Sequence, residues 1–177
     1  VPRWAQGRYD LWDLQIGLLN DTTIPYRYLT VPCCKECNST HLKPIEDRVL
    51  KAVESGVQAS RALPKNTLFL WLGKILYGLL YREVLLPFDR RDRTKGSIVG
   101  ADTLAAYFPH LKLLQEARGK LQMRGFVPGS FWVFHTQEPN DRRMAWDFLD
   151  DPDRLTIAVR VGKVGIVAAL ADGGAQE

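Results

Sequence analysis

No cysteine lies outside a single five-position window: Cys33, Cys34 and Cys37 are the only three in 177 residues. Thiols so close together cannot staple distant segments, which excludes a disulfide scaffold. They favour a reducing, cytoplasmic setting in which the thiols hold metal or serve a structural role. No apolar run approaches the ~20 residues needed to span a bilayer, because Lys74 interrupts the most apolar stretch, Leu68 to Tyr81. That stretch reads as a buried helix, with no membrane partner. No secretory signal is visible, and no repeat or low-complexity tract appears. Initiator methionine is also absent: the chain opens Val1-Pro2-Arg3-Trp4 and has no second cysteine pair. It is therefore expected to be a fragment whose other half lies upstream.

Enough is present for a folded domain. Hydrophobic residues make up 46%, sufficient for a sizeable core. Lysine and arginine number 24 against 20 acidic residues, a formal charge of +4. That lean suits a nucleic-acid partner without requiring one.

Local patterns predict the order of elements. Asp13–Leu19 and Ile24–Val31 read as two short strands around a polar hairpin loop, Asn20 to Thr23. Leu42, Ile45, Val49 and Val53 fall on one helical face, with Pro44 in the first turn and Gly56 as the terminator. Pro64 to Leu86 is apolar nearly all round, which predicts a central helix ended by Pro87. Asp89 to Lys95 is a charged loop whose basic residues Arg90, Arg91, Arg93 and Lys95 either pair with Asp89 and Asp92 or touch phosphates. A third helix is expected from Ala101 to Gln122, kinked or divided at Pro109, with Leu104, Phe108, Leu111, Leu114 and Leu121 in period. Beyond Gly125 the period becomes two. Phe131–Phe134, Ala145–Phe148, Thr156–Val161 and Val164–Leu170 read as strands, with Gly162-Lys163 as a hairpin turn. Trp71, Tyr77 and Trp132 are expected in the core. The fold class is α+β: a ββα-metal or zinc-knuckle unit over residues 1–57, then helices and a C-terminal antiparallel sheet over 58–177.

The chemistry concentrates at Cys34-Lys35-Glu36-Cys37-Asn38. Two thiols at C-x-x-C spacing can grip one tetrahedral Zn²⁺, the short loop bending both sulfurs inward; buried thiols are the alternative. The spacing selects Cys34 with Cys37, although Cys33 could replace Cys34. Glu46 and Asp47 follow near the expected helix start. Carboxylates there either bind a hard cation, favour the positive end of the helix dipole, or pair with Arg48 and Lys51. His41 is the histidine nearest the knuckle, as a metal ligand, a phosphate contact or an exposed first-turn residue. His110 and His135 read as structural.

Val31 to Asn38, followed by a helix carrying Glu46-Asp47, resembles the second half of the HNH endonuclease motif of the ββα-metal nucleases. Many members have a C-x-x-C, a strand ending in an acidic residue and histidine before a Pro-Arg-Trp type segment, then a second C-x-x-C-Asn and a helix. Val1-Pro2-Arg3-Trp4 looks like the segment after that histidine. The resemblance covers Val1 to Trp4 and about Thr30 to Gly56. It implies that Cys34 and Cys37 are half of a structural Cys₄ zinc site. It also implies that Asn38 orients the catalytic histidine and that Glu46 or Asp47 is the ligand of a catalytic Mg²⁺ or Mn²⁺. The chain departs from the pattern in lacking the acidic-histidine pair and the first C-x-x-C, and in placing a carboxylate at the third motif position. The implied activity is metal-dependent phosphodiester hydrolysis in DNA or RNA, with a base activating water and a cation on the phosphate. The alternatives are a non-catalytic zinc-knuckle nucleic-acid-binding module, and a protein-interaction or homo-oligomer domain acting through the C-terminal region.

Overall fold

The computed structural model describes residues 3–108, 112 and 127–174. Helix α1 (Arg3–Arg8) leads into a hairpin of β1 (Gln15–Gly17) and β2 (Thr23–Pro25), paired Ile16 opposite Ile24. The Leu18 amide donates to Thr22 O at 2.9 Å and closes the loop. The second strand is shorter than its β-rich composition suggested. Pro25 lacks a ladder donor, and the chain turns at once into a 3₁₀ turn over Tyr26–Tyr28.

Three helices follow: α2 (Lys43–Ser55), α3 (Val57–Arg61) and α4 (Lys65–Val84). Ile45, Val49, Ala52 and Val53 form the buried face of α2, as their spacing predicts. Gly56, at φ 101°, ends that helix in a conformation costly for any residue with a Cβ. The backbone is already helical before Lys43, however. A π-helical segment spans Cys37–Leu42, and the Lys43 amide donates to Asn38 O five residues back. The wider turn carries the chain past Pro44, whose ring would otherwise press on the carbonyl four residues earlier.

Helix α4 is central, with Leu68 to Leu72 and Ile75 to Tyr77 all buried. Its apolar circumference meets a different layer on each side. Helix α5 (Ala101–Ala106) occupies the start of the expected Ala101–Gln122 span; Leu104 packs on the core while Phe108 is exposed. The expected kink at Pro109, and His110, Leu111, Leu114, Leu121 and Gln122, lie outside the described residues.

Strands β3 (Ser130–His135), β4 (Trp146–Asp151), β5 (Thr156–Val161) and β6 (Val164–Ala169) form an antiparallel sheet in the order β3-β6-β5-β4. The β5–β6 turn is Gly162-Lys163, with Gly162 at φ 60°. Alternate residues Ile157, Val159, Val161, Ile166 and Ala168 face the helices and are buried. Trp146 meets Trp71 edge to face, ring centroids 6.3 Å apart at 87°. The architecture is α+β, and one core includes residues on both sides of residue 57. Trp132, expected inside, is 39% exposed on the outer face of the sheet: it shares strand parity with exposed Phe134, opposite to inward Phe131 and Val133. Among the described residues, no helix is long and apolar enough to cross a membrane.

Candidate metal knuckle

The knuckle sits where an irregular segment, residues 31–34, turns into helix. Cys33 and Cys34 are exposed and Cys37 is half-buried. The Cys37 amide donates to Cys34 Sγ at 3.1 Å, and the Asn38 amide donates to Cys34 O at 3.0 Å. An amide aimed at sulfur favours the thiolate, the form that binds metal. The Asn38 amide thus closes the loop through the backbone, while its side chain faces solvent. The Ser39 hydroxyl donates to Lys35 O and pins the first turn.

The segment before the cysteines lies along α4. Val31 Cγ2 stands 3.5 Å from where a Cβ on Gly78 would be. One turn earlier on α4, Lys74 feels the Cys33 thiol and forms an ion pair with Glu46 of α2. Burial pulls the Lys74 amine down to about 8, against which Cys33 acts in the raising direction. Lys74 remains an ammonium at neutral pH. A single cation on α4 thus ties that helix to α2.

The other expected site residues are placed separately. Asp47 pairs with Lys43 one turn back on the exposed side of α2, at 2.5 Å. The helical backbone begins at Lys35, so neither Glu46 nor Asp47 stands at a helix N-terminus, and the dipole account does not apply. Their partners are Lys74 and Lys43 rather than Arg48 and Lys51. His41 is half-buried on the π segment. Among the described residues, no three His, Cys, Asp or Glu side chains converge to hold a metal ion. Cys34 and Cys37 thus share one turn, joined by the bond from the Cys37 amide to Cys34 Sγ, and among the described residues no group of three potential ligands forms around them.

The charged loop is largely self-paired. Asp89 accepts from the Arg91 amide and from Lys95 Nζ, and these hold its carboxyl below the usual range. Asp92 accepts from the Thr94 amide, and Arg90 donates to Thr23 O at 3.4 Å. His135 is exposed at the end of β3.

Sequence reasoning missed Lys74 as the partner of Glu46. The signal was present, since an isolated charge within an apolar stretch requires a compensating group. It also missed Glu83, whose Oε1 accepts the Leu19 amide at 2.9 Å and whose Oε2 is buried without a hydrogen-bond partner. Burial pushes this carboxyl up to about 7, the Leu19 amide opposing and Asp150 adding to the rise.

No protein-family model matches the chain, and neither a curated protein nor a solved structure matches it.

Proposed function

We propose that the chain carries the zinc-knuckle half of a metal-dependent, HNH-type endonuclease that hydrolyses phosphodiester bonds in DNA or RNA in a reducing, cytoplasmic setting. The observation that supports this reading best is the Cys37 amide bonded to Cys34 Sγ at the head of a helix that follows a β-hairpin. The donor set fits zinc: two thiol sulfurs at C-x-x-C spacing, one of them already accepting an amide. In this reading Cys34 and Cys37 supply two ligands of a closed structural site. The other two ligands and the base that activates water come from residues other than those described. Zinc, when bound, fixes the loop that carries Asn38.

The described residues do not fit a second, catalytic cation as they stand. Glu46 and Asp47 each close on a lysine, and no third ligand joins them. That pairing favours a second reading, in which the same knuckle is a non-catalytic nucleic-acid-binding or protein-interaction module. One experiment separates the two. Full-length protein, with its zinc content measured, is incubated with plasmid DNA and with RNA, with and without Mg²⁺ or Mn²⁺. Cleavage only with added cation supports the nuclease. Zinc-loaded protein that leaves both nucleic acids intact selects the second reading. Zinc-free native protein removes the basis of both. Glu46→Ala/Asp47→Ala then tests the acidic pair: cleavage at the wild-type rate assigns the cation to other residues.

A further inference from the structure

Trp132 and Phe134 lie on the face of the sheet that turns away from α4. They are 39% and 41% exposed, large values for rings of this size in a folded chain. Alternate residues of one strand are about 6.8 Å apart, so the two rings are neighbours on one surface. The register places Phe134 opposite Gly165 and Trp132 opposite Val167. A Cβ on Gly165 would meet the tip of the Phe134 ring, so the ring occupies the space above a residue that has no side chain. Two neighbouring exposed rings offer planar groups a surface on which to stack.

Charge around the rings is unevenly distributed. The Thr136 amide donates to Lys163 O, so even-numbered residues of β3 bond toward β6 and odd-numbered ones face the free edge. At that edge the Arg61 Nε of α3 donates to Val133 O at 2.9 Å, which holds the guanidinium beside the two rings. The acidic residues of the outer face are on β4, at the opposite margin. Asp147 lies in the Phe134 row beyond Gly165 and Arg160, three strands or about 14 Å away, within reach of Arg160 at 3.6 Å. The β3 edge thus carries Arg61, the β4 margin carries Asp147, and Glu138, three residues past the end of β3, is paired with Lys163.

We propose that the β3 side of the outer sheet face binds single-stranded nucleic acid, with bases stacked on Trp132 and Phe134 and a phosphate at Arg61. The choice of nucleic acid as occupant rests on the function proposed above and on Arg61 at the β3 edge; the site is separate from the knuckle. Stacking on such rings tolerates any base, because every base has a π-face, so the surface would capture strand rather than read sequence.

The test uses full-length protein without added Mg²⁺ or Mn²⁺, titrated into fluorescein-labelled oligothymidylate and oligouridylate at several salt concentrations. Trp132→Leu and Phe134→Leu keep apolar bulk and remove the ring; each should weaken binding about tenfold or more. Trp132→Tyr should restore most of it. Arg61→Gln should weaken binding and reduce the salt slope by about one. Leu149→Ala, at the β4 margin, should leave binding unchanged. Loss with oligouridylate alone or with both probes fits the proposal and says which sugar the surface accepts. Unchanged binding in both leucine variants overturns it. So does a wild-type protein that binds neither probe, or wild-type self-association that only the ring variants abolish, which would make a second copy the occupant. These outcomes are independent of cleavage and of zinc content, so failure here is distinguishable from failure of the nuclease reading.

Discussion

Glu46 of α2 and Lys74 of α4 form an ion pair across the two helices, with both side chains mostly withdrawn from solvent. Removing one partner leaves the other charge poorly solvated and unpaired. Glu46→Ala is therefore expected to cost ~1–3 kcal/mol in urea unfolding, whereas Asp47→Ala, on an exposed pair one helical turn apart, should cost no more than ~0.5 kcal/mol. Glu46→Leu/Lys74→Met should recover most of the loss, because apolar replacement of both partners removes the desolvation penalty as well. Equal effects of the two alanine variants would show that the interhelix pair is no stronger than a surface one.

Glu83 makes stability depend on pH near neutrality. Its folded value, about 7, lies above the ordinary 4.5, so the folded state retains a proton that the unfolded state has released. Stability is then highest below about pH 4.5 as far as this group is concerned. It falls as pH rises through about 7, by ~3 kcal/mol in full. Asp150, also raised by burial, acts in the same sense. Glu83→Gln keeps an acceptor for the Leu19 amide and has no charge to bury. Its thermal midpoint should exceed wild type at pH 8, with the advantage vanishing near pH 5. A constant offset between the two curves would show that Glu83 does not titrate in this window.

The Trp71–Trp146 contact joins α4 to the sheet, and both indoles are fully buried. Trp71→Ala should cost ~3–5 kcal/mol. A double-mutant cycle between the two should leave a coupling of ~0.5–1.5 kcal/mol beyond lost area. Amides of α4 should exchange more slowly than those of any other described helix. Fast exchange across Leu68–Leu80 would mean the helix opens without the rest of the core.

Gly129 meets backbone rather than a yielding side chain. A Cβ there would lie 2.7 Å from Ala169 O, at the start of the β3–β6 pairing. Gly129→Ala should destabilise by ~1–3 kcal/mol, while Gly7→Ala, with nothing near its Cβ, should be close to neutral. Chemical denaturation of both variants checks the contrast.

Much of the fold was legible because it depends on local period. The apolar run of α4, the 3.6-residue face Ile45-Val49-Val53 and the alternation in β5 each specify their element. Failures came where a distant neighbour decided the outcome. Tyr26 to Val31 has strand composition, yet Tyr26 and Leu29 fold into the core as a turn. Trp132 carries a core-type side chain, but strand parity turns it outward. The cysteine spacing was read from four residues, whereas the lysine partner of Glu46 and the burial of Glu83 depend on chain 28 and 64 positions away. No local pattern encodes those distances.

The π segment between Cys37 and Leu42 fixes the phase of the knuckle relative to α2. A wide turn holds one residue more than an ordinary turn, and each residue of an α-helix advances the rotation by about 100°. Deleting a single residue there would convert the turn to α-helix at little cost to hydrogen bonding. With Ile45 and Val49 still held in the core, everything upstream would swing by about that angle. The thiols would then face a different direction and Val31 would leave Gly78. Chain length between Cys37 and Pro44 thus acts as an angular setting, and insertions or deletions in this stretch should be tolerated far less than substitutions.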